Sequence, residues 1–236
     1  MRGVGTLVNI ASVSLGTVAG VVAGARIPDR IRATALQVVG LTTLVIGMKE
    51  TLGTRNVVFP LVALIVGGAI GELLRIKDRL EGVGERIRAK VEGNGERRRP
   101  PTRFVEGFVA ASVLFCVGPL TVLGSIRDGL GGPDHAQLLL VKAALDGLVA
   151  VVFASTLGWG VGFSVVTVAV VQGTLTLGAG AAASVLTTRM VTEMTAAGGV
   201  MILGIGLRLL ALKQVPVASL LPALLLAPVL VALFAR

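Results

Sequence analysis

The feature that most constrains this chain is a series of apolar blocks, each about twenty residues long, with the charged residues confined between them. A helix rises about 1.5 Å per residue, so such a block spans the roughly 30 Å hydrocarbon core of a bilayer. The blocks run Val4–Gly24, Thr34–Leu52, Val57–Leu74, Phe104–Ile126, Ala136–Leu157, Trp159–Ala183, Thr192–Leu212 and Pro216–Ala235. They predict an all-α integral membrane protein with about eight transmembrane helices. The fifth and sixth blocks are divided only by Gly158 and its neighbours. The last, with Pro216, Pro222 and Pro228, is expected to kink.

Composition agrees. Charged residues are 15% of the chain and apolar ones 54%, against about 25% charge in a soluble domain. The 32 glycines suit closely packed membrane helices. The net charge of +9 invites a nucleic-acid reading, but most basic residues lie in one inter-helix segment, where topology accounts for them. No nucleic-acid partner is expected. The start of the chain lacks a convincing signal-peptide cleavage site and reads as the first span.

Counting Lys and Arg on alternate sides gives fifteen against six, with Lys142 inside a span. The richer side holds residues 75–103, which the positive-inside rule places in the cytoplasm, with both termini external. The chain then divides into an N-terminal membrane repeat (1–74), a cytoplasmic segment (75–103) and a C-terminal membrane region (104–236). Within the segment, Ile76, Leu80, Val83, Ile87 and Val91 recur at helical spacing among charges, which suits an amphipathic helix on the membrane surface. Arg97, Arg98 and Arg99 begin a basic linker that could attract anionic lipid. A plain solvated linker fits the same residues.

A shift of 159 positions pairs Arg30 with Arg189, Gly40 with Gly199, Ile46 with Ile205, Gly47 with Gly206, Lys49 with Arg208 and Leu61 with Leu220. This lays helices 1–3 over helices 6–8. Five spans separate equivalents, so the copies would cross in opposite directions. Inverted repeats of this kind recur in secondary transporters.

Polar residues within the spans are the candidate site. Lys142 and Asp146 stand four apart in an otherwise apolar helix and therefore share a face. Intramembrane charges are costly unless paired or hydrated, and mark function by default. A structural pair, or a Lys142 that snorkels to the interface, explains them too. Asn9 and Gln172 can bond between helices or contact a ligand. Glu106 and Glu193 open their spans, where a carboxylate suits a helix N-terminus. In an inverted arrangement they would lie on opposite sides, like two gates. Gly16, Gly20 and Gly24, and likewise Gly67 and Gly71, form small-residue stripes for packing inside the chain or between subunits. Gly118-Pro119 and Gly158 to Gly162 could break helices at depth.

No phosphate loop, nucleophile elbow or metal-binding cluster is present in the sequence, and His135 is the single histidine. No cofactor, metal or enzymatic activity is expected. Cys116, the single cysteine, forms no internal disulfide.

A set of short motifs carries a resemblance across nearly the whole chain. It comprises Gly5-Thr6-Leu7-Val8-Asn9, Arg103-Phe104-Val105-Glu106-Gly107-Phe108, Leu114-Phe115-Cys116-Val117-Gly118 and Asp128-Gly129. It continues through Lys142, Leu145-Asp146-Gly147, Phe153-Ala154-Ser155, Gln172-Gly173, Glu193-Met194 and Gly204-Ile205-Gly206-Leu207. Together these resemble the YqgA/YdfK-type bacterial inner-membrane proteins (domain of unknown function 554). Pro119 and Arg208 depart from the pattern. The resemblance implies a multi-pass protein of the bacterial cytoplasmic membrane and no particular substrate.

The expectation is a secondary transporter or channel-like protein for a small solute or ion, working as a homodimer. Lys142 and Asp146 would be central, assisted by Asn9 and Gln172. The rival is a membrane scaffold or regulator whose polar residues only lock helices together. A membrane enzyme ranks third, since no nucleophile or metal would support a lone carboxylate and lysine.

Overall fold

The computed structural model describes residues 2–26, 28–80, 82, 101–132 and 134–234. The expectations placed on Val83, Ile87, Val91 and the arginine run 97–99 lie outside these residues. All regular structure among the described residues is helical: α1 (Val4–Arg26), α2 (Asp29–Leu52), α3 (Val58–Leu73), α4 (Pro101–Cys116), α5 (Pro119–Leu130), α6 (Gln137–Leu157), α7 (Gly160–Leu177), α8 (Ala179–Val185), α9 (Thr188–Leu209), a 3-10 turn (Val217–Leu220) and α10 (Ala223–Phe234).

Six segments are long and apolar enough to cross a membrane: Val4–Gly24, Ala33–Leu52, Gln137–Leu157, Gly160–Leu177, Thr188–Leu209 and Val217–Phe234. α3 is shorter, at 16 residues. α4 and α5 form a pair bent by 60°. Outward faces carry bare apolar side chains such as Leu15, Val45, Ile65, Leu148, Val166 and Leu225, each more than 60% exposed. In water such a surface would aggregate; against acyl chains it costs nothing. This is a multi-pass membrane protein.

The helices meet through small residues. α1 lies along α6 in parallel, Gly16 against Gly147, Gly20 against Val151 and Gly24 against Ser155. A methyl group at any of the three would overlap the α6 backbone. α2 packs antiparallel on α9, Gly40 facing Gly206 and Gly47 facing Gly199. α3 packs antiparallel on the 3-10 turn and α10, Gly67 against Ala223 and Gly71 against Ser219. α7 runs parallel to α4 (Gly160 on Phe104, Ser112 Oγ 3.0 Å from Thr167 Oγ1) and antiparallel to α1. The glycine stripes are therefore spent inside the chain, and none is left as a subunit interface.

Both expected breaks occur, with different results. Gly118 adopts φ +134, a backbone that disfavours any side chain, and Pro119 follows as the first residue of α5. Thr121 Oγ1 donates to the Phe115 carbonyl at 3.0 Å, repairing one bond lost at the bend. Gly158, at φ +79, instead ends α6 and turns the chain into α7, so the fifth and sixth blocks are separate helices. The sixth block is shorter than its apolar run suggests. α7 stops at Leu177, and Gly178 starts the short α8.

α9 begins four residues before the seventh block, because Thr187 caps it by accepting from the Met190 amide. α4 likewise begins at Pro101. Glu193 and Glu106 thus sit a full turn inside their helices. The expectation that they cap their own helix starts is corrected.

Candidate functional site

Lys142 and Asp146 project from the first half of α6. By helical rise they sit about 8 and 14 Å from its start. They belong to the stripe Leu139, Lys142, Ala143, Asp146, Gly147 and Ala150, which is buried against the rest of the bundle. The Lys142 Nζ to Asp146 Oδ2 distance is 2.5 Å, and the two residues are only 5% and 7% exposed. Lys142 does not snorkel.

Asn9, wholly buried on α1, donates its Nδ2 to the same Asp146 oxygen at 3.1 Å. The glycine-to-backbone contact of α1 with α6 permits this reach. Ser12 Oγ, one turn on, bonds the Ala143 carbonyl at 2.7 Å and fixes the register.

Gln172 stands on the buried stripe Ser164, Val168, Gln172 and Thr176 of α7. Thr176 Oγ1 lies 2.9 Å from Thr6 Oγ1 and donates to the Ser125 carbonyl at 3.2 Å, which ties α7 to α1 and α5. Gln172 is one turn from Thr176, and Asn9 one turn from Thr6. The antiparallel register continues with Thr17 against Gly162, so Asn9 and Gln172 face each other at one level. Lys142, Asp146 and Asn9 are therefore joined by direct contact, and Gln172 lies at their level by register without a bond to any of them. One turn beyond them Val13, Ala150 and Val168 are buried, and the buried hydroxyls of Thr17 and Ser164 follow.

Glu106 and Glu193 lie elsewhere. Glu193, fully buried, reaches the loop before α3, accepting from Thr54 Oγ1 (2.5 Å), the Arg55 amide (2.9 Å) and the Asn56 amide (3.3 Å). Glu106 pairs with Arg208 at the opposite end of the bundle, Nε to Oε1 3.5 Å. Arg208, the residue that departs from the motif, is thereby compensated.

Asp128 is a site residue that sequence reasoning used only as part of a motif. Fully buried at the end of α5, it accepts from the Gly5 amide (3.3 Å), the Thr6 amide (3.0 Å) and Thr6 Oγ1 (3.3 Å) at the start of α1. His135 Nε2 stands 3.9 Å away. The available signal was a lone carboxylate in an amphipathic run, but its partner lies 122 residues distant. A cavity of about 290 Å³ opens beside it, lined by Arg127, Asp134, His135, Gln137 and Leu138 among others.

Hence one end of the bundle holds Asp128 and Glu193, each fastening a helix start, and the polar residues descend from that end to Asp146. Among the described residues no cluster of His, Cys, Asp and Glu could hold a metal.

Comparison with known proteins bears on the same residues. YqgA of Escherichia coli (strain K12) is 32% identical over 226 residues, 95% of this chain and 94% of that protein. YdfK of Bacillus subtilis (strain 168), described as a membrane protein, is 27% identical over 231 residues, 96% and 95% of the two chains. Both are described as uncharacterized. No solved structure matches. The family described as "Protein of unknown function (DUF554)" matches residues 4–232, and with it nearly every helix described above, so the chain belongs to that family.

Proposed function

We propose that this protein is a secondary transporter or channel-like protein for a small solute or ion in the bacterial cytoplasmic membrane. The observation that carries the reading is the buried Lys142–Asp146 pair, joined by Asn9 and faced by Gln172, inside a bundle whose outer surface is lipid-compatible. Ionisable groups at such depth are expensive, and solute or ion pathways are among the functions that retain them.

In this reading the chain makes eight crossings, counting α3 and the bent α4–α5 pair as one each. Residues 75–103 are cytoplasmic and the termini external. Helices 1–3 and 6–8 form an inverted repeat. Three antiparallel contacts support it, because each helix packs on its own counterpart: α1 on α7, α2 on α9 and α3 on α10. The shift that equates Gly40 with Gly199 and Gly47 with Gly206 also exchanges the Gly47–Gly199 contact for the Gly40–Gly206 contact. Substrate would enter from the end that holds Asp128 and His135, where the polar residues lie. A helix broken at a glycine, as α4 and α5 are at Gly118, suits a cavity-lining role. Homodimeric assembly is part of the proposal and would use the apolar outer faces. Anionic lipid at residues 75–103 is a further proposed partner, and no covalent chemistry is assigned.

The tight seating of α1 on α6 favours a second reading, a scaffold whose ion pair only docks helices. Reconstituted proteoliposomes separate the two. Salt-gradient currents on a supported membrane, and uptake of radiolabelled ions and small polar solutes, should exceed those of empty liposomes. Equality with empty liposomes across this panel would favour the scaffold.

A further inference from the structure

Two amide side chains at the level of the Lys142–Asp146 pair, and one hydroxyl beside Thr176, have unmet hydrogen-bonding capacity. Gln172 is 0% exposed, yet neither its Oε1 nor its Nε2 has a hydrogen-bond partner. Asn9 spends its Nδ2 on Asp146, which leaves its buried Oδ1 unpartnered. Ser125, 0% exposed on α5, has an unpartnered Oγ, while its carbonyl is held by Thr176. Asp146 receives both of its hydrogen bonds on Oδ2, and among the described residues none reaches Oδ1. Buried polar groups are ordinarily satisfied, so the orphaned amide groups of Asn9 and Gln172, at one level of α1 and α7 beside Asp146, point to an occupant.

The chemistry of that occupant follows from the atoms presented. Two amide oxygens and a carboxylate oxygen form a hard oxygen set, which suits an alkali or alkaline-earth cation and not a soft metal. Charge decides between the two. Asp146 is already neutralised by Lys142, so a divalent ion would add two uncompensated charges in a low-dielectric interior. Size excludes a larger organic cation, since Gly16 and Gly147 bring α1 and α6 into backbone contact here.

We propose that Asn9, Gln172 and Asp146 form a site for a small monovalent metal cation, and that the Lys142 ammonium competes with that cation for Asp146. This names the ligand class of the site in the transport reading and rests on it.

The test is thermal melting of the full-length protein in detergent, in sodium, potassium or choline chloride at equal ionic strength. Sodium or potassium should raise the melting temperature saturably over choline, by about 2–4 °C near saturation. The rise should vanish in Gln172→Leu and in Asp146→Asn, and either variant suffices if the other fails to fold. Lys142→Met should lower the half-saturating concentration about tenfold or more, because removing the competitor frees the carboxylate. A rise confined to Lys142→Met also supports the site. Identical melting in the three salts for both wild type and Lys142→Met overturns it, as does a rise that survives Asp146→Asn. A half-saturating concentration unchanged in Lys142→Met removes the competitor role. Ion binding is read here without flux. Cation-dependent melting with no flux would remove transport and keep the site; flux with no cation dependence would do the reverse.

Discussion

Glu193, buried on α9, holds the chain that leads into α3 through three hydrogen bonds to its carboxylate. In the sequence it opens an apolar block, and a carboxylate there would complement its own helix. The helix, however, is started by the Thr187 cap, which frees Glu193 to fasten the chain before α3 through Thr54, Arg55 and Asn56. Hydrogen bonds to a charged acceptor are each worth about 1.5–3 kcal/mol. Glu193→Ala should therefore lower stability by about 2–4 kcal/mol, whereas Glu193→Gln, which keeps one acceptor, should lose less. Denaturant or thermal unfolding in detergent reads both. Equal losses would show that shape and not hydrogen bonding holds the loop. Asp128 makes the same kind of contact with α1 and was less legible still, because no local pattern links position 128 to positions 5 and 6. Lys142 and Asp146 were legible because their partners are each other, four residues apart. Their supporting shell was half legible: Asn9 and Gln172 stand out as amides in apolar helices, but Ser125, Thr6 and Thr176 look like ordinary small residues.

At the scale of elements, the sequence shows where helices can come close but not which ones do. Gly16, Gly20 and Gly24 form a stripe visible by eye, and its match on α6 is visible only in three dimensions. Gly20→Leu should be severely disruptive, since the side chain would enter the Val151 backbone. Overpacking typically costs about 1–3 kcal/mol, and a clash with backbone should reach the upper end. Val18→Leu, on the lipid-exposed face of the same helix, should be neutral within about 0.5 kcal/mol. Comparable losses in the two variants would refute the packing. The bend between α4 and α5 was legible in Gly118-Pro119. Gly118→Ala places a side chain at φ +134 and should cost about 1–3 kcal/mol through strain alone, because nothing lies within 4 Å of the added methyl.

For the whole molecule, the class of fold was legible from the length of the apolar blocks, and the helix ends shifted by a few residues where caps intervened. Orientation in the membrane follows from charge asymmetry alone. A cysteine introduced at Asn94, with Cys116 replaced, should resist an impermeant thiol reagent in intact cells and react after permeabilisation. A cysteine added after Arg236 should react at once. The reverse pattern would invert the topology.

In the proposed function, Lys142 and Asp146 serve transport and not merely cohesion. Removing one partner of a buried pair typically costs about 3–5 kcal/mol, because the other charge is left uncompensated. Replacing both by apolar residues of similar size should recover much of that loss. The decisive measurement is therefore the Lys142→Met, Asp146→Leu double variant, reconstituted and assayed for both thermal stability and flux. If the pair serves transport, the double variant inserts correctly, is more stable than either single variant, and its flux falls to that of empty liposomes. A double variant that retains full stability and full flux would contradict it.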